Sequence, residues 1–251
     1  MPNEPERTDL ETDLKQLPER SALAMAALCA GRSVRLAAAF ALAVILSDCP
    51  ALARESKAGT FDYYALSLSW SPTYCGSDAG NGDDQQCGKG RAYAFVVHGL
   101  WPQFERGWPE FCESRETWVP NQLIQGMLAI MPSKALIIHE WKKHGTCSGL
   151  TIAKYFDTVR NLFGKARIPA RYLFPRAEIN TSPKQITQDF VKTNLGLTSD
   201  MISIQCGNNR DRARLQEVRI CFDRKGAFRS CGKNEANRCR ATMLILPPVR
   251  N

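Results

Sequence analysis

Histidine is in short supply in this chain of 251 residues: there are three, His98, His139 and His144. Other absences remove whole classes of chemistry. No Cys-x-x-Cys occurs, so the closely spaced thiolate pairs of most structural zinc sites are missing. There is no Gly-x-Ser-x-Gly elbow, no Walker loop and no Gly-x-Gly-x-x-Gly. That argues against elbow-type serine hydrolases, P-loop nucleotidases and dinucleotide enzymes. The apolar run Leu36–Leu46 is eleven residues, about half of the ~20 that a membrane helix needs. No later segment is long and apolar enough to span a bilayer, so stable membrane insertion is not expected. With no internal repeat, low-complexity tract or linker, a single domain over residues 54–251 is the simplest organisation.

What is present is positive charge and cysteine. The net charge is +8. Beyond residue 53 the balance is 28 Lys/Arg against 18 Asp/Glu, which suits a polyanionic partner. Ten cysteines are many for a cytosolic chain. Two of them, Cys29 and Cys49, fall in the N-terminal stretch. There Arg32 and Arg35, the apolar run and Ala51-Leu52-Ala53 follow the plan of a secretory signal cleaved near Ala53. Residues 1–53 therefore read as a leader. Its acidic first 24 residues point to Met25 as the true start. The other eight cysteines are an even set, expected to form four disulfides in an exported protein, periplasmic or secreted. Spacing alone leaves their pairing open.

Hydrophobic periodicity predicts a mixture of elements. Tyr64, Leu66, Leu68 and Trp70 recur at period two within Phe61–Trp70, a strand with one apolar face. Residues 75–90 read as a loop. Residues 92–97 form a short strand that delivers His98, with Gly99 and Pro102 expected to break it. Helices are predicted over 121–131, 135–144 (stopped by Gly145), 152–163 and 182–194, and strands over 202–205, 215–222 and 242–246. Helices and strands mix without strict alternation, which indicates an α+β fold.

The chemistry gathers around the histidines. On a helix at ~100° per residue, His139, Lys143, Glu140 and His144 fall within about 140° of one another. The zinc-protease pattern needs His-Glu-x-x-His, with histidines four apart. Here they are five apart, with Lys143 in the fourth position, and an ammonium beside a would-be dication opposes it. Two histidines from separate segments, with a lysine and a carboxylate, suit metal-free cleavage of a phosphodiester. One histidine takes a proton from the attacking hydroxyl, the other gives one to the leaving oxygen, and cations meet the charge on phosphorus. RNA supplies its own 2′-OH as nucleophile. Trp101 offers a face on which to stack a base. No cofactor and no metal are expected.

Two segments carry a family resemblance. Phe95-Val96-Val97-His98-Gly99-Leu100-Trp101-Pro102-Gln103 resembles the first active-site segment of the RNase T2 family. His139-Glu140-Trp141-Lys142-Lys143-His144-Gly145-Thr146-Cys147 resembles the second nearly residue for residue. Phe61 through Cys75 is similar to the family's opening strand and turn, and the resemblance covers residues 60–248. It implies an α+β fold with a central, mainly antiparallel sheet flanked by helices. It also implies the disulfides Cys75–Cys87, Cys112–Cys147, Cys206–Cys239 and Cys221–Cys231. His144 would be the general base, His98 the general acid and His139 the phosphate holder, with Glu140 and Lys143 stabilising the transition state. The activity implied is endonucleolytic cleavage of single-stranded RNA to 2′,3′-cyclic phosphate ends by a monomer of low base specificity. The alternatives are a secreted zinc hydrolase using the three histidines and a non-catalytic polyanion-binding protein of the same fold.

Overall fold

The computed structural model describes residues 56–208, 212–236 and 239–250. The expected leader, with its start at Met25, lies outside the described residues. Six strands form one sheet: β1 (Tyr63–Trp70), β2 (Phe95–Gln103), β3 (Ile179–Thr181), β4 (Ile202–Cys206), β5 (Arg212–Phe222) and β6 (Met243–Leu246). The order is β2-β1-β5-β6-β3, with β4 also paired to β5. All pairings are antiparallel except β5 with β6. The fold is therefore α+β around a mainly antiparallel sheet.

The period-two residues of β1 do face the core: Leu66, Leu68 and Trp70 are fully buried and Tyr64 nearly so. The other face is buried as well, with Tyr63, Ala65 and Ser67 at 0% exposure. The expectation of one apolar face fails because β1 lies inside the sheet, covered on both sides. Against the core face pack α3 (Asn121–Met127), α4 (Lys134–Lys143), α5 (Ile152–Lys165) and α6 (Pro183–Thr193). They insert Ile124 and Met127, Ile137 and Trp141, Tyr155, Phe156, Val159 and Leu162, and Ile186 and Phe190. Three starts are capped as their sequences invite: Ser133, Thr151 and Ser182 each accept a backbone N–H three residues on. Trp141 is fully buried and donates its indole N–H to the Glu116 carbonyl at 2.9 Å. An indole so placed contributes roughly 3–5 kcal/mol, enough to fix how α4 rolls against the sheet.

Several boundaries differ from the sequence reading, each for a physical reason. The strand of His98 runs on through Gly99 and Pro102 to Gln103. It is tolerated because β2 pairs with β1 alone, and an edge strand can hold a proline whose missing N–H points away from the ladder. Helix α3 stops at Met127, its last turns loosening before Pro132. Helix α4 ends at Lys143, with His144 as its C-cap and Gly145 starting a 3₁₀ turn. Gly145 serves close packing and does not need a left-handed backbone: a Cβ there would sit 2.4 Å from the Trp141 ring. A short helix, α1 (Ser71–Cys75), follows β1, and the 75–90 loop holds a 3₁₀ turn and another short helix, α2 (Asp84–Cys87). Strand β3, three residues long, carries no periodicity to read. The disulfides are Cys75–Cys87, Cys112–Cys147, Cys206–Cys239 and Cys221–Cys231.

Candidate active site

A single irregularity in β2 builds the first half of the site. Ser67 of β1 faces Gly99, but Leu68 faces Val97, so His98 is the extra residue of a β-bulge. In a regular strand, side chains three apart point to opposite faces. The bulge reverses that parity and puts His98 and Trp101 on one face, their ring centres 5.3 Å apart. On the far side of β1, Ser67 faces Arg219 and Ser69 faces Glu217. These small serines leave room above β1. Across them His98 Nδ1 meets Glu217 Oε1 at 2.5 Å, although their strands are two spacings, roughly 10 Å, apart.

Helix α4 closes the site from above. Glu140 is 1% exposed. Its Oε2 accepts the Trp101 indole N–H at 2.7 Å, and its Oε1 lies 3.7 Å from His98 Nε2. His144, just past the helix end, is 7% exposed, with its ring 5.3 Å from that of Trp101. The two histidines thus flank one indole. His139 is exposed and, with His98, lines a cleft of about 900 Å³ that also runs past Glu217, Arg219 and Leu136. Lys143 Nζ lies 3.7 Å from Glu110 Oε2, both partly exposed. Such a pair is worth about 0–1 kcal/mol, so Lys143 is readily released to an anionic ligand. The predicted residues do come together, but not as one uniform helical face. The arc of α4 passes from solvent at His139 to full burial at Glu140.

The surroundings set the protonation states. Burial lowers the pKa of His98, but the hydrogen bond and charge of Glu217, with Glu140, outweigh burial and hold it above the ordinary histidine value. His144 goes the other way: burial, then Lys143, His98, His139 and Arg219, pull it down to about 3. His139 is lowered by burial, Lys143 and His98. Burial lifts Glu140 to about 7 against the opposing pull of His98 and the Trp101 N–H. Burial also pushes Glu217 upward, but His98 and Arg219 reverse this and bring it to about 2.

Two points depart from the sequence reading. Trp101 was expected to present a stacking face, but it is 8% exposed, with the Arg219 guanidinium 4.6 Å from its ring centre and His144 beside it. Its place is to hold Glu140 and space the histidines. An exposed aromatic near the site is Phe111, 62% exposed and tied by its N–H to the Lys143 carbonyl at 2.8 Å. Glu217 and Arg219 were missed altogether. The signal was there, since Glu217 and Arg219 alternate with Val218 and Ile220 and so share the polar face of β5. Nothing in sequence, however, says which strand lies next to β5. Among the described residues, no group of three or more His, Cys, Asp or Glu side chains is placed to hold a metal ion. The zinc alternative finds no ligand set there.

Gly99 is the tightest point of the site. A Cβ there would lie 1.9 Å from Glu140 Oε2 and 2.4 Å from Trp101 Nε1. Gly99→Ala must therefore break the Trp101–Glu140 bond by pushing Glu140 aside. Overpacking of this kind costs about 1–3 kcal/mol, a fall in Tm of roughly 2–12 °C at this size. Thermal unfolding followed by circular dichroism should show that fall, and catalysis at the site should be lost out of proportion to it. Wild-type activity in this variant would mean that Glu140 can move without consequence.

The family model described as the Ribonuclease T2 family matches residues 61–231. A ribonuclease of Aeromonas hydrophila is 43% identical over 121 residues, 48% of this chain and 54% of that protein. A probable ribonuclease of Haemophilus influenzae is 33% identical over 182 residues, 68% of this chain and 61% of its own length. The chain thus spans between half and two thirds of these two curated relatives. Among solved structures, an RNase-related protein from Calystegia sepium superposes with a TM-score of 0.61 at 25% identity, over 76% of this chain and 98% of its own. RNase NT, solved in complex with 5′-AMP, gives the same TM-score at 24% identity over 75% and 99%, a likeness of fold.

Proposed function

Because the chain belongs to the ribonuclease T2 family, we propose that it is an endoribonuclease cleaving single-stranded RNA by transesterification without a metal. One observation carries this reading: two histidines flank a single indole and are pushed to opposite protonation states, His98 toward its acid form and His144 toward its base form. His144 takes the proton of the 2′-OH as the O2′–P bond forms. His98 gives a proton to O5′ as the P–O5′ bond breaks. The products are a 2′,3′-cyclic phosphate and a 5′-hydroxyl.

The remaining residues stabilise charge. At acid pH Glu140, with its pKa near 7, holds a proton and can donate a hydrogen bond to a non-bridging oxygen where a carboxylate would repel it. Lys143 supplies positive charge to the same phosphate, and exposed His139 a ring N–H to hold it. The basic surface gathers the polyanion. Four disulfides suit an oxidising compartment, periplasm or medium. Among the described residues no helix is long and apolar enough to cross a membrane. The intact set of His98, His139, Glu140, Lys143 and His144 favours catalysis over a binding-only role. A monomer holds the whole set, since every one of these residues comes from the same chain.

The test is digestion of a defined oligoribonucleotide in excess chelator, with the 3′ ends identified by mass. Full activity with 2′,3′-cyclic ends is expected at most dinucleotide steps. Loss of activity in chelator, or 5′-phosphate products, would overturn the reading.

A further inference from the structure

Glu217 is 12% exposed and gives its two oxygens to different partners: Oε1 to His98 Nδ1 at 2.5 Å, and Oε2 to Arg219 at 2.7–2.8 Å. Arg219 is pinned from its other side by buried Glu235, with Nη1 3.0 and 3.3 Å from the two carboxylate oxygens. The guanidinium plane also lies over Trp101, so neither it nor Glu217 is free to swing. When His98 is protonated, Glu217, Arg219 and Glu235 complete a set with no net charge; when His98 loses its proton the set carries one uncompensated negative charge. The groups facing His98 are Glu217 and Arg219 from β5, Glu140 and His139 from α4, and His144 beyond it. Lys143 acts on the same α4 cluster.

We propose that Glu217 is a positioning residue for His98: it fixes the imidazole through Nδ1, leaves Nε2 turned toward Glu140, and stabilises the protonated ring, while Arg219, held by Glu235, keeps Glu217 ionised and in place. This rests on the general-acid role of His98. In the neutral ring the bond to Glu217 keeps the proton on Nδ1, so Nε2 is the nitrogen that gains and gives the catalytic proton. The carboxylate thereby sets both the tautomer and the upper edge of the pH range in which His98 can act as an acid.

The experiment compares the wild-type protein with Glu217→Gln and Glu217→Asp by NMR titration of the His98 ring without RNA, alongside pH profiles of kcat and kcat/KM on an oligoribonucleotide. In Glu217→Gln, His98 should titrate at lower pH and the alkaline limb of kcat/KM should move down with it. Loss of an orienting carboxylate should lower kcat by at least ~10-fold, with KM little changed. Glu217→Asp, which keeps the charge on a shorter stem, should recover part of both effects. If Glu217→Gln does not fold, the aspartate variant carries the test, its His98 titrating between the wild-type value and that of a free histidine. An unmoved His98 in the variants would overturn the proposal. A His98 that titrates lower while the alkaline limb stays put would uphold its coupling to Glu217 and overturn its role as general acid.

Discussion

Replacing either His98 or His144 by alanine is expected to lower kcat/KM for RNA by about 10²- to 10⁴-fold, the usual worth of a general acid or base. Neither change should unfold the protein. His98 is about a third exposed, and Glu217 keeps its bonds to Arg219 without it. His144 is buried, but its Nδ1 has no hydrogen-bond partner among the described residues, so its removal breaks no such bond there. Circular dichroism and Tm would establish this beside the initial rates. The pH profile separates the roles. The base must be unprotonated, so activity should rise as pH climbs through the low pKa of His144, about 3. The acid must be protonated, so activity should fall as pH climbs through the raised pKa of His98. The environment pushes the two values apart and leaves a wide window, extending well into acid, where both are in the working state. His144→Ala should remove the acidic limb; His98→Ala should remove the part of the alkaline limb that follows His98 and leave the part that follows Glu140, near 7. Because the two act in one step, the double variant should lose little more than either single one. Near-normal turnover in either single variant would overturn the mechanism.

Much of this site was legible because its chemistry sits in two short, dense segments. His98 and Trp101 lie within four residues, and His139 to His144 within six. Helical geometry alone separated the latter from a metal cage. What could not be read is what depends on a neighbour distant in sequence. Gly99 and Pro102 look like breakers, and they are tolerated because β2 is an edge strand and α4 packs onto Gly99. Trp101 looks like a stacking platform, and only its contacts with Glu140, His144 and Arg219 show it as a spacer. Glu217 lies 119 residues from His98. Its contact depends on a bulge in β2, two small serines in β1 and the placing of β5 beside β1, none of which periodicity encodes. Disulfide pairing is the same kind of fact: eight cysteines allow 105 pairings, and only the resemblance singled out one.

A single 2′-deoxynucleotide placed within an oligoribonucleotide should abolish cleavage on its own 3′ side and leave neighbouring steps intact; single-stranded DNA should not be cut at all. The size of the effect follows from the nucleophile. An intramolecular hydroxyl in good geometry reaches effective molarities of about 10⁵–10⁸ M. Set against ~55 M water, even the lower figure leaves roughly a 10³-fold advantage, lost when the hydroxyl is removed. His144 can take the proton of whatever hydroxyl lies beside it, so acid–base geometry alone does not forbid attack by water. What favours the 2′-OH is that the ribose itself holds it in line with phosphorus, whereas a water must first be placed there. Mass analysis of the fragments would show the gap at one position, a control internal to the same molecule for binding, folding and pH. Cutting at the deoxynucleotide at a comparable rate would mean that the protein supplies or positions the nucleophile, and the division of labour between His144 and the substrate would have to be redrawn.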